Sequence, residues 1–110
     1  MAIKNTLIGN PSATPIFSAN TGTEYAITTI IFCNTSDVND AYLDVWAVPT
    51  GSVPSSASTQ ILNNVYIPKG ETFVMDSEKL ILSSGDAIWA QTSPVNSDQI
   101  VCATVSTVVI

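Results

Sequence analysis

A chain of 110 residues that is 45% apolar and only 11% charged lacks the signature of a disordered segment, and its length suits one domain with one core. Its formal charge of −6 comes from nine acids against three lysines, with no histidine and no arginine to fork onto a phosphate. Nucleic acid is therefore not an expected partner.

The opening "MAIKNTLIGNPSATP" has one lysine, no apolar stretch of signal-peptide length, and two prolines that interrupt whatever follows. No segment approaches the ~20 uninterrupted apolar residues of a spanning helix. These features predict a soluble protein made in a cytoplasm, with no membrane partner. Two cysteines, Cys33 and Cys102, are too few for a disulfide scaffold, and a reducing compartment keeps them as free, buried thiols.

In chain order, an early strand is expected around Thr14 to Ala19. "EYAITTIIFCN" (24–34) is dense in β-branched and aromatic residues, which fit a pleated surface and lose rotamer freedom in a helix. "AYLDVWAVP" follows the polar "TSDVND" and alternates with period two, so Leu43, Val45 and Ala47 form its core face and Tyr42, Asp44, Trp46 and Val48 the other. "PTGSVPSSAS" is a long loop and a natural contact element. "QILNNVYIP" sets Ile61, Asn63, Val65 and Ile67 on one face and stops at a proline that has no N–H to donate. "ETFVMD" and "KLIL" are short runs broken by Asp76-Ser77-Glu78. "SSGD" turns the chain into "AIWAQT", with Gly85 free to take a positive φ. A last strand from Gln99 to Ile110 leaves no tail for targeting.

Short strands at roughly ten-residue spacing, with turn signals between them and no helical period, predict an all-β fold. The expected architecture is a single antiparallel β-sandwich domain of about eight strands over residues 1–110, of jelly-roll or Ig-like topology. Residues 1–23 are expected as an N-terminal arm or an edge strand.

No residue is assigned a catalytic, cofactor-binding or metal-binding role, and no cofactor is implied. Without histidine, acid–base chemistry at neutral pH requires a shifted carboxylate or lysine. Asp76 and Glu78, two apart, could share a strand face as a glycosidase-like pair, but they also separate two strands, where acids simply stay wet. Asp86, after Gly85, reads as the residue that closes a turn. Asp37, Asn39, Asp40 and Asp44 offer hard oxygens to a calcium ion, yet their spacing lacks the glycine and distal glutamate of an EF-hand loop. "IPKGE" and "SSGD" are similar to cupin turns, but cupins hold metal through histidines. Neither a histidine-paired nucleophile nor a glycine-rich phosphate loop is present. The order Cys33, Trp46, Cys102 is close to that of an immunoglobulin domain, although Ile100 stands where that fold has its corner tyrosine. The expected reading is a non-enzyme.

From Glu24 onward, "CNTS" (33–36), "LDVWAVPTG" (43–51), "IPKGETFVMDSEKLILSSGDAIWAQ" (67–91) and "VCATVS" (101–106) resemble small virion proteins of tailed bacteriophages, especially cyanophages. The resemblance implies a multi-copy structural protein attached to capsid, neck, tail or fibre, of the decoration or cement type, often trimeric and assembled in the host cytoplasm. Its partners would be other virion proteins and further copies of itself, meeting through sheet edges and the loops around 34–41 and 49–59. The alternative is a carbohydrate-binding or adhesin module of a tail fibre or baseplate, with Trp46, Trp89 or Tyr66 stacking on sugar rings. Two aromatics side by side in an open groove would favour it. A third reading, an Ig-like receptor domain, needs a Cys33–Cys102 bond. Thiol titration of the denatured protein, purified without oxidant, is expected to find both cysteines free. Finding neither would favour the Ig-like reading.

Overall fold

The computed structural model describes residues 2–8, 13–55, 58–75, 80–93 and 101–110. Nine strands are formed and no helix among these residues: β1 (Ala2–Leu7), β2 (Thr14–Ser18), β3 (Tyr25–Asn34), β4 (Ala41–Val48), β5 (Gln60–Ile67), β6 (Thr72–Met75), β7 (Leu80–Leu82), β8 (Ala87–Ser93) and β9 (Val101–Val109). It follows that no described helix is long and apolar enough to cross a membrane. β1 is the strand beyond the expected eight. Its sequence, AIKNTL, carries Lys4 and Asn5, and it becomes a strand by pairing with β9 along its whole length.

All pairings are antiparallel and they nest. β4 pairs β5, β3 pairs β6 and β7, β2 pairs β8, and β1 pairs β9. The chain is thus one long hairpin, rolled up so that β3 also meets β9 and β4 also meets β8. Two sheets result, one ordered β1-β9-β3-β6 with β7 beside β3, the other β2-β8-β4-β5. If β6 and β7 are taken as one interrupted strand, this is the eight-strand jelly roll. The immunoglobulin alternative fails on position: its cysteines face each other across two sheets, whereas Cys33 and Cys102 are neighbours within one. Residues 1–23 supply an edge strand to each sheet.

The core lies between the sheets. Ile30, Phe32, Val101 and Val105 from the first meet Leu43, Val45, Ile67 and Ile88 from the second, each at most 1% exposed. Leu43, Val45 and Ala47 do face the core, as their alternation predicts. The face expected of β5 does not hold along its length. Ile61 and Asn63 are exposed while Leu62 packs against the core, and only Val65 and Ile67 keep the predicted side. The cause is Asn64, whose φ of 59° makes a bulge and shifts the register between Leu43 and Val45. Asparagine tolerates that left-handed conformation better than most residues, and its N–H is received by Asp44 Oδ1 at 2.8 Å.

Asn34, at the end of β3, is wholly buried. Its Nδ2 donates to the Ile67 carbonyl in the opposite sheet at 3.1 Å and to the Asn39 carbonyl at 3.0 Å. Its Oδ1 receives Ser36 N–H, and its own N–H donates to the Glu71 carbonyl. One side chain therefore stitches the two sheets and shapes the β3–β4 loop. Asn34→Leu would leave the Ile67 and Asn39 carbonyls unpaired, and it is expected to cost about 2–4 kcal/mol in a urea titration. Asn63→Ala, at an exposed position of β5, should stay within about 0.5 kcal/mol of wild type.

Candidate functional site

Three of the acids singled out in the sequence, Asp86, Asp40 and Asp44, are occupied in holding loops. Asp86 closes the β7–β8 turn: its N–H donates to the Ser83 carbonyl, and its Oδ2 receives Ser83 N–H at 3.0 Å. Its Oδ1 reaches the β4–β5 loop, accepting Thr50 N–H at 2.9 Å and Thr50 Oγ1 at 3.1 Å. Thr50 Oγ1 also lies 2.6 Å from the Ser84 carbonyl. Gly85 permits this closeness, because its φ is +85° and a Cβ there would stand 2.5 Å from Thr50 Oγ1. The Thr50 and Ser83 amides hold the Asp86 carboxyl below its ordinary pKa of 3.8, against a smaller opposing effect of desolvation.

Asp40 does the same at the other end of the sandwich. Its Oδ1 receives Lys69 N–H and its Oδ2 the Tyr66 hydroxyl, which lowers its own pKa and raises that of Tyr66. Asp44 Oδ1 receives Gln60 Nε2 as well as Asn64 N–H. Both carboxylate oxygens of Asp40 and Oδ1 of Asp44 thus already face protein donors. Among the described residues no group of three or more His, Cys, Asp or Glu is placed to hold a metal. Asp76 and Glu78 lie outside the described residues.

The two outer faces of the sandwich differ in chemistry. On the sheet containing β4, Tyr42 and Tyr66 are register partners with ring centroids 5.2 Å apart, both partly open to solvent. Trp46 pairs in register with Trp89 on the same face, but it is only 7% exposed and its indole N–H has no acceptor among the described residues. Of the three aromatics expected to stack on sugar, only Tyr66 stands well exposed. Tyr42, which the sequence reading did not single out, stands beside it.

On the other sheet, register places residues in rows that cross the strands. Leu7, Cys102, Cys33 and Thr72 form one row, and Asn5, Thr104, Ile31 and Val74 the next. Ile3 and Ser106 continue the face on β1 and β9, and Val108, Ala26 and Ile81 complete it. Ile3 is 69% exposed and Ile81 58%. None of these side chains is charged. Sequence patterning does not find this face, because β3 reads "TTIIFC" and is apolar toward both sides.

The loops named as contact elements are braced from within. Ser36 Oγ receives the N–H groups of Val38 and Asn39, while Thr59 Oγ1 is tied to Ser55. Each loop nevertheless presents one exposed valine, Val38 and Val53. An open cleft of about 600 Å³, lined by Gly22, Thr23, Glu24, Ser83 and Ser84 with the last two residues of the chain, has Glu24 as its acid. That carboxylate lies 3.3 Å from Ser83 Oγ.

No protein-family model, no curated protein and no solved structure matches this chain.

Because its pKa is depressed in the fold, Asp86 contributes stability that is present above the unfolded-state value and is lost as pH falls through the folded one. Chemical denaturation from about pH 7 to pH 2 should show stability falling below about pH 4, and falling less in Asp86→Asn. Superimposable pH profiles for the two proteins would show that the carboxylate charge contributes nothing.

Proposed function

We propose that the protein is a non-enzymatic structural component of a bacteriophage virion, a decoration or other accessory protein that works by self-association and by binding the particle. The observation that carries this reading is the outer face of the β1-β9-β3-β6 sheet, which is uncharged and largely apolar among the described residues, on a chain whose formal charge is −6. Copies bearing like charge repel, and they meet at least cost where neither presents a charge. The described acids lie elsewhere, at Glu24 and Asp86 toward one end of the sandwich and at Asp37, Asp40, Asp44 and Glu71 on the opposite sheet or the other end.

At ~3.4 Å per residue and ~4.8 Å between strands, strands of six, nine, ten, four and three residues (β1, β9, β3, β6 and β7) give a face of about 520 Å², within the range of the largest patches that monomers leave open and enough for a contact of the smaller class. The resemblance of residues 33–36, 43–51, 67–91 and 101–106 to small phage virion proteins supports the same reading. Jelly rolls serve as viral capsid domains, and equally as lectins, so the fold alone does not choose between assembly and sugar binding.

The second reading is a carbohydrate-binding or adhesin module of a fibre or baseplate, favoured by the exposed Tyr42–Tyr66 pair. Two rings on a flat face suit the stacking of a sugar.

Light scattering of the purified protein should find an oligomer, with a trimer implied by the resemblance. Paired substitutions Ile31→Lys and Val74→Lys on the uncharged face should dissociate it while leaving the β-sheet circular dichroism unchanged. Particles lacking the protein should bind the wild type and not this variant. A strict monomer that binds no virion component but retains a glycan, with loss on Tyr66→Ala, would establish the adhesin reading instead.

A further inference from the structure

Cys33 on β3 and Cys102 on β9 are direct register partners, so their side chains leave the sheet on the same face. Two hydrogen bonds outside this pair fix its kind. Asn34 N–H donates to Glu71, on the far side of β3, and the Val101 carbonyl receives Ile8 N–H, on the far side of β9. In an antiparallel ladder successive residues turn their backbone groups to opposite sides, so Cys33 and Cys102 must turn theirs toward each other. They form a hydrogen-bonded pair, for which the Cα atoms stand ~5.5 Å apart, inside the ~4.4–6.8 Å span of a disulfide.

The Cβ separation of such a pair, ~5.5 Å, exceeds the ~3.8 Å that a disulfide prefers. Bridging therefore requires β3 and β9 to draw together locally, and the resulting bond stores strain that makes it easily reduced. Both thiols are free in the resting fold, and both are half-buried, flanked in their row by Leu7 and Thr72 and open toward the outer face.

We propose that Cys33 and Cys102 form a reversible thiol–disulfide modification site for low-molecular-weight disulfides of the glutathione class. The thiolate of one cysteine attacks a sulfur of the small disulfide, forms a mixed disulfide and releases one small thiolate. The second protein thiolate then attacks the protein sulfur of that mixed disulfide, closes the Cys33–Cys102 bond and releases the other. The two protons lost by the cysteines end on the two released thiols. The protein is oxidised by two electrons and the small disulfide is reduced by two.

The test uses the full chain, fully reduced, desalted and incubated folded with oxidised glutathione at neutral pH, with intact mass read under non-reducing conditions. Wild type should become lighter by two hydrogens, retain no glutathione, and yield a Cys33–Cys102 cross-linked peptide that dithiothreitol reverses. Cys33→Ser and Cys102→Ser should each stop at one stable glutathione adduct. Wild type that accumulates one or two glutathiones without closing the bridge, or that cross-links between chains, overturns the proposal. So does the Ile31→Lys, Val74→Lys protein left unmodified, because no second copy covers its thiols and the site requires them within reach.

Discussion

The two sheets are joined at Asn34. A β-sandwich is held chiefly by apolar contact, which is non-directional and fixes neither the register of one sheet on the other nor the path of the loops between them. Asn34 supplies the missing direction, because its buried amide reaches the Ile67 carbonyl across the core and the Asn39 carbonyl in the crossing loop. A polar group in that position is costly unless every partner is met, and here it is met on both its nitrogen and its oxygen. Phe32, Ile30 and Val101 can then interlock in one arrangement around it.

The same logic governs the acids. Asp40, Asp44 and Asp86 each accept a backbone N–H from another segment, at Lys69, Asn64 and Thr50. An ionised carboxylate makes a stronger acceptor than a neutral oxygen, so loops that lack regular pairing gain fixed positions from it. The depressed pKa of Asp86 and Asp40 is the electrostatic trace of this bracing, since backbone amides, of Thr50 and Ser83 for Asp86 and of Lys69 for Asp40, are its largest causes.

Charge is distributed accordingly. The described acids that brace loops lie at the ends of the sandwich and on the β2-β8-β4-β5 side, and the described residues of the opposite outer face are uncharged and rich in Ile, Val and Thr. Within that face Cys33 and Cys102 stand side by side as free thiols. A change in its bonding would pull directly on β3 and β9, the two central strands of the sheet. The proposed assembly surface and the proposed modification site thus share one piece of backbone.

By itself, the sequence determined the class of the fold and most of its strands. Period-two patterns, β-branched runs and turn residues are local, and they place β3, β4, β6, β8 and the Asp86 turn without knowledge of their partners. It also determined that histidine chemistry is absent. Tertiary structure decided what depends on pairing. β1 exists because β9 offers it a ladder, and the inward side of β5 changes at Asn64 because a bulge resets the phase. Trp46 is buried although it lies on the side of β4 away from the core. Cys33 and Cys102, far apart in the chain, become neighbours through the rolling of one long hairpin. Register between distant strands is set by the summed packing of two sheets, and no local stretch of residues carries that information.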